Sequence, residues 1–221
     1  GSPQRFGIKL TGRIRPLLSH AFNSSESGGS NNSQLHQTLA WEEMARHFGL
    51  REKIDSSPLL IPLIKRKINK IGIIAGSSNS PEKRWSRSNW VELLNQLFSQ
   101  FKGIEVHLYG TTSDLGIISL ICSENKSGKL YNRAGQTDLI LLADELASCS
   151  CVIGNDTGSI HLANLVGTPV IVLFGPTNSD RTKPFFNSLV TCIQSPHPED
   201  INSLNTSEVV LRYRQIIKDV Y

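Results

Sequence analysis

The sequence has few methionines and cysteines, no long apolar run and no conventional start. Met44 is the only methionine among 221 residues. No apolar stretch approaches the ~20 residues that a membrane-spanning helix requires, which disfavours an integral membrane protein. The segment Gly1-Ser2-Pro3 carries neither a Met nor an apolar core. We therefore expect no signal peptide, interpret Gly1-Ser2 as a cloning remnant, and expect the chain to be a fragment of a longer protein.

The four cysteines form no metal-binding pattern. Only one residue separates Cys149 from Cys151, which is too tight for a zinc-binding pair, and Cys122 and Cys192 do not supply a second pair. We expect reduced thiols that are buried as small apolar side chains. The predicted compartment is a reducing one, the cytoplasm.

The net charge of +4 is unevenly distributed along the chain. Residues 1–70 contain 11 Lys and Arg against 5 Asp and Glu, whereas residues 71–221 contain 12 against 14. A phosphate-rich partner or an anionic membrane surface is compatible with the basic first third. A solvated linker is the interpretation that we favour.

From residue 71 onward, short apolar runs alternate with helical patterns. The predicted strands cover residues 71–75, 104–109, 129–132, 151–154, 170–174 and 189–193. One predicted helix is capped by Ser88, and the others cover residues 115–121, 138–147 (capped by Thr137, with Leu141 inward), 162–166 and 207–220. This alternation predicts an α/β fold, a Rossmann-like parallel sheet with helices on both faces. Continuously apolar strands agree with it, because such strands are buried on both sides.

The first 69 residues contain no complete strand–helix–strand unit. A helix is predicted over 36–48, ended by Gly49, while 23–33 is predicted to be a mobile loop and 58–62 to be extended. We interpret residues 1–69 as the end of a preceding domain plus a partly flexible linker. Residues 70–221 form the predicted α/β domain.

Three turns of small polar residues follow predicted strands, after Ala75, Tyr109 and Asn155. Ligands of parallel α/β sheets bind outside the carboxyl ends of the strands, where these turns converge. The first turn contains Gly76-Ser77-Ser78 and then Lys83, whose hydroxyls and ammonium group are suited to phosphate oxygens. A serine-rich surface loop is the alternative interpretation of this segment.

The stretch Asp156–His161 is the most informative of the three turns. A turn from strand into helix exposes backbone N–H groups at the positive end of the helix dipole, which binds phosphates. Gly158 leaves room for such an anion, and His161, one helical turn on, can donate to it. The alternative is an Asp or Thr helix cap beside a structural histidine.

Two common nucleotide motifs are missing from these turns. No turn has the spacing of a P-loop, and Gly72 and Gly76 do not complete a dinucleotide fingerprint. ATP hydrolysis and hydride transfer therefore lose support.

Taken together, these turns resemble glycosyltransferase family 9, the ADP-heptose:lipopolysaccharide heptosyltransferases. The matching segments are Ala75–Ser78, Lys83-Arg84-Trp85, Asn155–Ala163, Gly167–Val170 and Leu173–Thr177. The resemblance implies the GT-B architecture, two Rossmann-like domains facing across a cleft. Residues 70–221 would be its carboxyl-terminal, nucleotide-sugar-binding domain.

The resemblance also implies roles for individual residues in holding the donor. Ser77, Ser78 and Lys83 would contact the donor diphosphate. The helix N–H groups at Thr157 and Gly158 would do the same.

Further roles follow from the same resemblance. Asp156 and His161 would lie beside the diphosphate. Gln136–Leu139, with Thr137, would lie near the adenine, and Asp114 stands where the family often has a ribose-binding Glu.

The implied reaction is an inverting, metal-independent transfer of heptose from an ADP-sugar to a lipid-linked saccharide of the lipopolysaccharide core. It would need no cofactor, metal or nucleic acid, and it would take place in the cytoplasm, peripherally at the inner membrane face. The family's catalytic Asp, near the start of its amino-terminal domain, has no match here, so we expect donor binding with little transfer. A non-catalytic nucleotide-sugar-binding module and a nucleotide-sugar epimerase or hydrolase are the alternatives, the latter requiring paired carboxylates that the three turns do not show.

Overall fold

A computed structural model describes residues 6–9, 20–23, 36–50, 55–58, 65–77, 80–186 and 188–221. They divide into two compact units, Gly1–Asp55 with Asp180–Thr182, and Ser56–Ser179 with Lys183–Tyr221. The predicted mobile loop lies outside the described residues except for its first residue, and so does most of the extended segment 58–62. The division into domains 1–69 and 70–221 stays a prediction.

The first unit contains a pair of short strands and a helix. Strands β1 (Phe6–Lys9) and β2 (His20–Asn23) are parallel, and the sequence did not predict them. Helix α1 (Gln37–His47) was predicted, and the chain leaves it through Gly49 at φ 94°. That left-handed conformation favours glycine, which confirms the predicted end of the helix.

The second unit is a six-stranded sheet that alternates with helices. Its elements are β3 (Lys67–Ile74), α2 (Arg87–Gln100), β4 (Glu105–Tyr109), α3 (Leu115–Glu124), β5 (Lys129–Asn132), α4 (Leu139–Ala147), β6 (Cys149–Asn155), α5 (Gly158–Leu165), β7 (Val170–Phe174), β8 (Val190–Gln194) and α7 (Thr206–Val220). The short helix α6 (Ser179–Thr182) follows β7 in the chain, and its residues Asp180–Thr182 belong to the first unit. Short 3₁₀ turns cover Pro81–Lys83, Thr112–Asp114 and Ile201–Ser203. The strand order is β5-β4-β3-β6-β7-β8, and every neighbouring pair is parallel.

Helices cover both faces of this sheet, which confirms the predicted fold class. On one face, α2, α3 and α7 bury large side chains such as Trp90, Ile118 and Tyr213. On the other face, α4 and α5 bury Leu146 and Ile160 against the sheet. Strands β6 and β7 are buried along their whole length, as expected for central parallel strands.

Three local predictions were wrong at helix starts and faces. Ser86, not Ser88, caps α2 by accepting a hydrogen bond from the N–H of Asn89 at 3.2 Å. Asp138, not Thr137, caps α4. Leu141 was predicted to point inward, but it is 41% exposed because α4 buries only its last turn fully.

Cysteine burial follows the prediction in part. Cys149 and Cys151 are buried, whereas Cys122 and Cys192 are half-buried. Burial raises the pKa of the Cys149 thiol to about 12, so this side chain packs as a neutral group.

Candidate functional site

A cavity of about 530 Å³ lies outside the carboxyl ends of the central strands. It sits where β3 and β6 are neighbours, the point from which successive strands run to opposite edges of the sheet. Ligands of open α/β sheets bind at such a switch point. The residues that line it are Ile74, Gly76, Ser77, Ser80, Lys83, Gly110, Thr111, Asp114, Leu139, Leu142, Asp156, Thr157, Gly158, Ser159 and Leu162. The three predicted turns therefore meet in one place.

Asn155, the last residue of β6, joins two of these turns. Its side chain is fully buried, its Nδ2 donates to the carbonyl of Ala75 at 2.9 Å, and its Oδ1 accepts from the N–H of Trp85 at 3.3 Å. Trp85 is itself buried and packs edge-on against Trp90 of α2. The segment that carries Lys83 is thus fixed to the end of β6.

The first turn of α5 lines the cavity and has no side-chain cap. Thr157 is the N-cap residue, but its side chain makes no capping hydrogen bond. Among the described residues its Oγ1 has no hydrogen-bond partner, although that atom is buried. A Cβ placed on Gly158 would meet no described atom within 4 Å. Because the first N–H groups of a helix have no partner within the helix, this turn can bind an anion.

Asp156 is a buried carboxylate that several donors hold ionised. Its Oδ2 accepts from Lys83 Nζ at 2.8 Å and from Thr177 Oγ1 at 3.0 Å, and its Oδ1 lies 3.5 Å from His161 Nε2. Burial alone would raise its pKa, but hydrogen bonds from His161, Lys83 and Thr177 and the charge of Lys83 outweigh burial and lower the pKa to about 2. Asp156 is therefore a fixed negative charge at neutral pH.

Lys83 brings the matching positive charge to the cavity. It ends the 3₁₀ turn Pro81–Lys83, and its side chain is 21% exposed, so the ammonium group remains accessible from the cavity. Arg84 stabilises the same segment, since its Nε donates to the carbonyl of Ser77 at 2.8 Å.

Asp114 is buried in the cavity wall and bound to its own turn. Its Oδ2 accepts from the N–H of Thr111 at 2.9 Å and from Thr111 Oγ1 at 2.8 Å. A Cβ on Gly76 would lie 2.3 Å from Asp114 Oδ1, so only glycine fits where these two turns touch. The cavity consequently contains two carboxylates, those of Asp114 and Asp156, and each already has hydrogen-bond donors.

One wall of the cavity is apolar, and of its residues only Leu139 lies in a segment that was expected at the site, Gln136–Leu139. Leu139 and Leu142 of α4 lie there with Ile74 and Leu162. Leu139 is 70% exposed. We name Leu139 and Leu142 the α4 wall.

Most of the predicted site residues are brought together. Ser77, Lys83, Asp114, Asp156, Thr157 and Gly158 line the cavity, and Ser77 is 5% exposed. His161 does not line it and contacts Asp156 instead. Thr137 is not among the lining residues, and Ser78 lies outside the described residues. The binding roles of all these residues stay predictions.

Sequence reasoning assigned Thr177 no role at the site, although Leu173–Thr177 is among the segments that carry the family resemblance. Its turn, Gly175-Pro176-Thr177, follows β7, the strand next to β6 in the sheet. That position was the available signal, because the carboxyl ends of parallel neighbours share one edge.

The described residues contain neither a metal-binding group of side chains nor a membrane-spanning helix. No three His, Cys, Asp or Glu side chains within the described ranges are grouped so that they could hold a metal ion. Of the helices in those ranges, none combines the length and apolar character needed to cross a bilayer.

Comparison with known proteins identifies the family. Residues 13–209 match the model of glycosyltransferase family 9 (heptosyltransferase), which covers most of the chain. The chain belongs to this family.

Individual relatives agree with that assignment. Lipooligosaccharide heptosyltransferase 2 of Haemophilus influenzae is 34% identical over 117 residues, which is 52% of this chain and 33% of the relative. Lipopolysaccharide heptosyltransferase 2 of Escherichia coli K12 is 31% identical over 118 residues, with the same two shares. The chain thus spans about a third of the length of these curated relatives.

Solved structures share the fold. A family 9 glycosyl transferase from Veillonella parvula superposes with a TM-score of 0.75 at 16% identity, covering 99% of this chain and 68% of that one. The E. coli heptosyltransferase WaaC, solved with ADP, gives 0.64 at 18% identity and covers 79% of this chain and 54% of that one. The six-stranded unit has the fold of the carboxyl-terminal half of a GT-B glycosyltransferase.

Proposed function

We propose that this chain binds the nucleotide-sugar donor of a heptosyltransferase, an ADP-sugar, in the cavity at the switch point. The observation that carries the proposal is the first turn of α5, where no side chain caps the helix and Gly158 and Ser159 line the cavity together with Lys83. A diphosphate placed there gains hydrogen bonds and charge neutralisation at the same spot.

The diphosphate would be held by residues of two turns. Ser77 and Lys83 approach from the turn after β3, and Thr157 and Gly158 approach from the turn after β6. Asp156 would fix Lys83 rather than contact phosphate itself, since its carboxylate is ionised and would repel an anion.

The nucleoside would rest on the α4 wall. Leu139 and Leu142 offer an apolar surface to a flat base, and Leu139 is the last residue of the segment Gln136–Leu139 that the resemblance places near the adenine. ADP is the proposed nucleotide because a solved family neighbour, the E. coli heptosyltransferase WaaC, carries it. The proposed sugar is heptose, which the names of the relatives state for those proteins.

The proposed reaction is transfer of that sugar to a hydroxyl of a lipid-linked saccharide, with inversion and without a metal ion. Lys83 and the α5 N-terminus would stabilise the negative charge that develops on the departing diphosphate. The proposed place of action is the cytoplasm, peripherally at the inner membrane face.

We propose that neither cavity carboxylate, that of Asp114 or that of Asp156, activates the acceptor hydroxyl. A general base works best with a pKa near the operating pH, whereas the pKa of Asp156 is about 2. Asp114 accepts two hydrogen bonds from Thr111. We therefore expect this chain to bind donor and to transfer little sugar without a base supplied from elsewhere.

A calorimetric panel of ADP, GDP and UDP tests donor binding. We expect ADP to bind best, with the same affinity in EDTA, and to stabilise the chain thermally, since ligand at 100 times its Kd adds about 2.7 kcal/mol. Absence of heat with all three nucleotides would contradict the proposal. Turnover of ADP-heptose by this chain alone would contradict the assignment of the base.

A further inference from the structure

The α4 wall stands on a helix that is held by an ion pair one turn further on. Glu145 lies three residues after Leu142 in α4, so the two positions share a face of the helix. Arg133, just after β5, binds this carboxylate at two points. Its Nη2 contacts Oε1 of Glu145, and its Nε donates to Oε2 at 3.3 Å.

A buried lysine reinforces this pair from the centre of the sheet. Lys70 of β3 is 6% exposed, and its Nζ lies 3.9 Å from Glu145 Oε2 and donates to Ser148 Oγ at 2.8 Å. Burial opposes ionisation of Glu145, but hydrogen bonding to Arg133 and the charge of Lys70 outweigh it, so the pKa of Glu145 lies below its ordinary value. The pair is consequently charged at neutral pH.

Arg133 also holds the loop that leads into α4. Its N–H donates to the carbonyl of Leu108 at 2.9 Å, and its Nη1 donates to Gln136 Oε1 at 3.0 Å. Gly135 adds a bond from its N–H to the carbonyl of Gly110, also at 2.9 Å. The loop is therefore fixed both to the end of β4 and to the helix that follows it.

These bonds lie on the nucleoside side of the cavity and not on its diphosphate side. The Lys83–Asp156 pair and the start of α5 are supported by Asn155, Thr177 and His161, which are bonded to other groups. The two halves of the site thus have separate supports.

We propose that Arg133 and Glu145 are positioning residues that set the α4 wall and thereby determine affinity for the nucleoside, but not for the diphosphate. This inference rests on the proposed nucleotide-sugar site. Neither residue lines the cavity, so both act through Leu139 and Leu142.

The test compares ADP with inorganic pyrophosphate as ligands of the full 221-residue chain, with Kd measured by NMR titration. In Glu145→Gln we expect the Kd for ADP to rise about tenfold, an effect of the size that residues remote from a ligand can have. The Kd for pyrophosphate should change less than about twofold. The matched control is Glu124→Gln, which breaks the exposed Arg87–Glu124 pair (3.3 Å) away from the cavity and should change neither Kd.

A second variant and a second measurement protect the test against misfolding. Arg133→Lys keeps the charge but removes the two-point contact, and it should show the same selective loss. Amide hydrogen exchange should accelerate at Leu139–Leu142 in either variant and stay unchanged at Gly158–His161. This local effect distinguishes positioning from a general loss of stability.

The outcomes separate this inference from the proposed function. Equal losses for ADP and pyrophosphate, or no loss for ADP, would overturn the inference while leaving the donor site in place. If the wild-type chain bound neither ADP nor pyrophosphate, both the proposed function and this inference would be overturned.

Discussion

Helices α4 and α5 both begin at the cavity, yet their first turns are built in opposite ways. Asp138 caps α4 with its own carboxylate, which accepts from the N–H of Leu141 at 2.8 Å. Thr157 occupies the equivalent position of α5 and makes no such bond. A side chain therefore already binds one N-terminal N–H group of α4, that of Leu141, whereas no side chain caps the N-terminus of α5. A helix N-terminus is an anion site only when its own cap leaves it open.

The surroundings of the two helices differ in the same direction. The start of α5 has the Lys83–Asp156 pair beside it, whereas the start of α4 presents Leu139 and Leu142. The same backbone geometry thus contributes a polar half and an apolar half to one cavity. A nucleoside diphosphate has both kinds of surface, which is why the two helices fit the proposed ligand together.

The largest expected effect on ADP binding comes from removing the positive charge of Lys83, beside the start of α5. Lys83→Met should weaken ADP binding by about 1.5–3 kcal/mol, the usual worth of a hydrogen bond to a charged group, as measured by calorimetry. Lys102→Met, at an exposed lysine that does not line the cavity, serves as the control and should bind ADP normally. Equal affinities for the two variants would remove Lys83 from the site.

Acid should weaken the α5 side through Asp156. The pKa of Asp156 is about 2 in the folded chain, below the ordinary value of 3.8. As the pH falls, the unfolded chain therefore binds the proton first. The Asp156 carboxylate stabilises the fold only at pH values where it is ionised. About 2 kcal/mol of stability is present above pH 4 and is lost as the pH falls from about 4 to about 2. Urea unfolding measured across that window should show this loss in the native chain.

Asp156→Asn is the comparison for this pH dependence. It removes the titrating group and should flatten the stability curve between pH 4 and pH 2. A variant curve that stays parallel to the native one would assign the acid effect to other carboxylates.

The smallest expected effects separate the two helix caps directly. Asp138→Ala should lower the free energy of unfolding by about 1 kcal/mol, because it removes a working cap. Thr157→Ala should cost less stability than that, since its hydroxyl caps nothing, but it should weaken ADP binding by about 1 kcal/mol. Urea titration and calorimetry on both variants check the pattern. Equal stability losses would show that the caps do not differ.

The sequence was sufficient for those parts of the fold that depend on local pattern. Strand β5 has the predicted bounds, and α7 begins one residue from its predicted start, because short apolar runs and amphipathic spacing are local signals. The start of β6 was placed two residues late, since Cys149-Ser150 carries no apolar signal although it is buried.

Helix caps were predicted less well for a clear reason. Thr137 and Asp138 are neighbours, and Ser86 and Ser88 are nearly so, and all four are good cap formers. The choice between such neighbours depends on where the helix packs, which only the folded sheet decides.

The location of the candidate site could be predicted from the sequence, but the ion pair within it could not. Three turns at strand ends identified Ser77, Lys83, Thr157 and Gly158 as residues that would converge. The bond between Lys83 and Asp156 joins residues 73 positions apart, and no local pattern encodes it. Leu139 of the α4 wall was expected near the adenine from the family resemblance, but Leu142 escaped prediction, because apolar residues in a helix are first expected to face the core.

The Lys83–Asp156 pair has a consequence for turnover. A transferase must let go of its nucleotide product in every cycle, and a bare ammonium group in a pocket would hold that product tightly. Here the carboxylate of Asp156 lies 2.8 Å from the ammonium group and can pair with it again when the nucleotide dissociates. In the proposed function, Lys83 pairs with the diphosphate when ADP binds and with Asp156 when ADP dissociates. On that proposal, the site would bind ADP less tightly than an unpaired ammonium group could, and would release it faster.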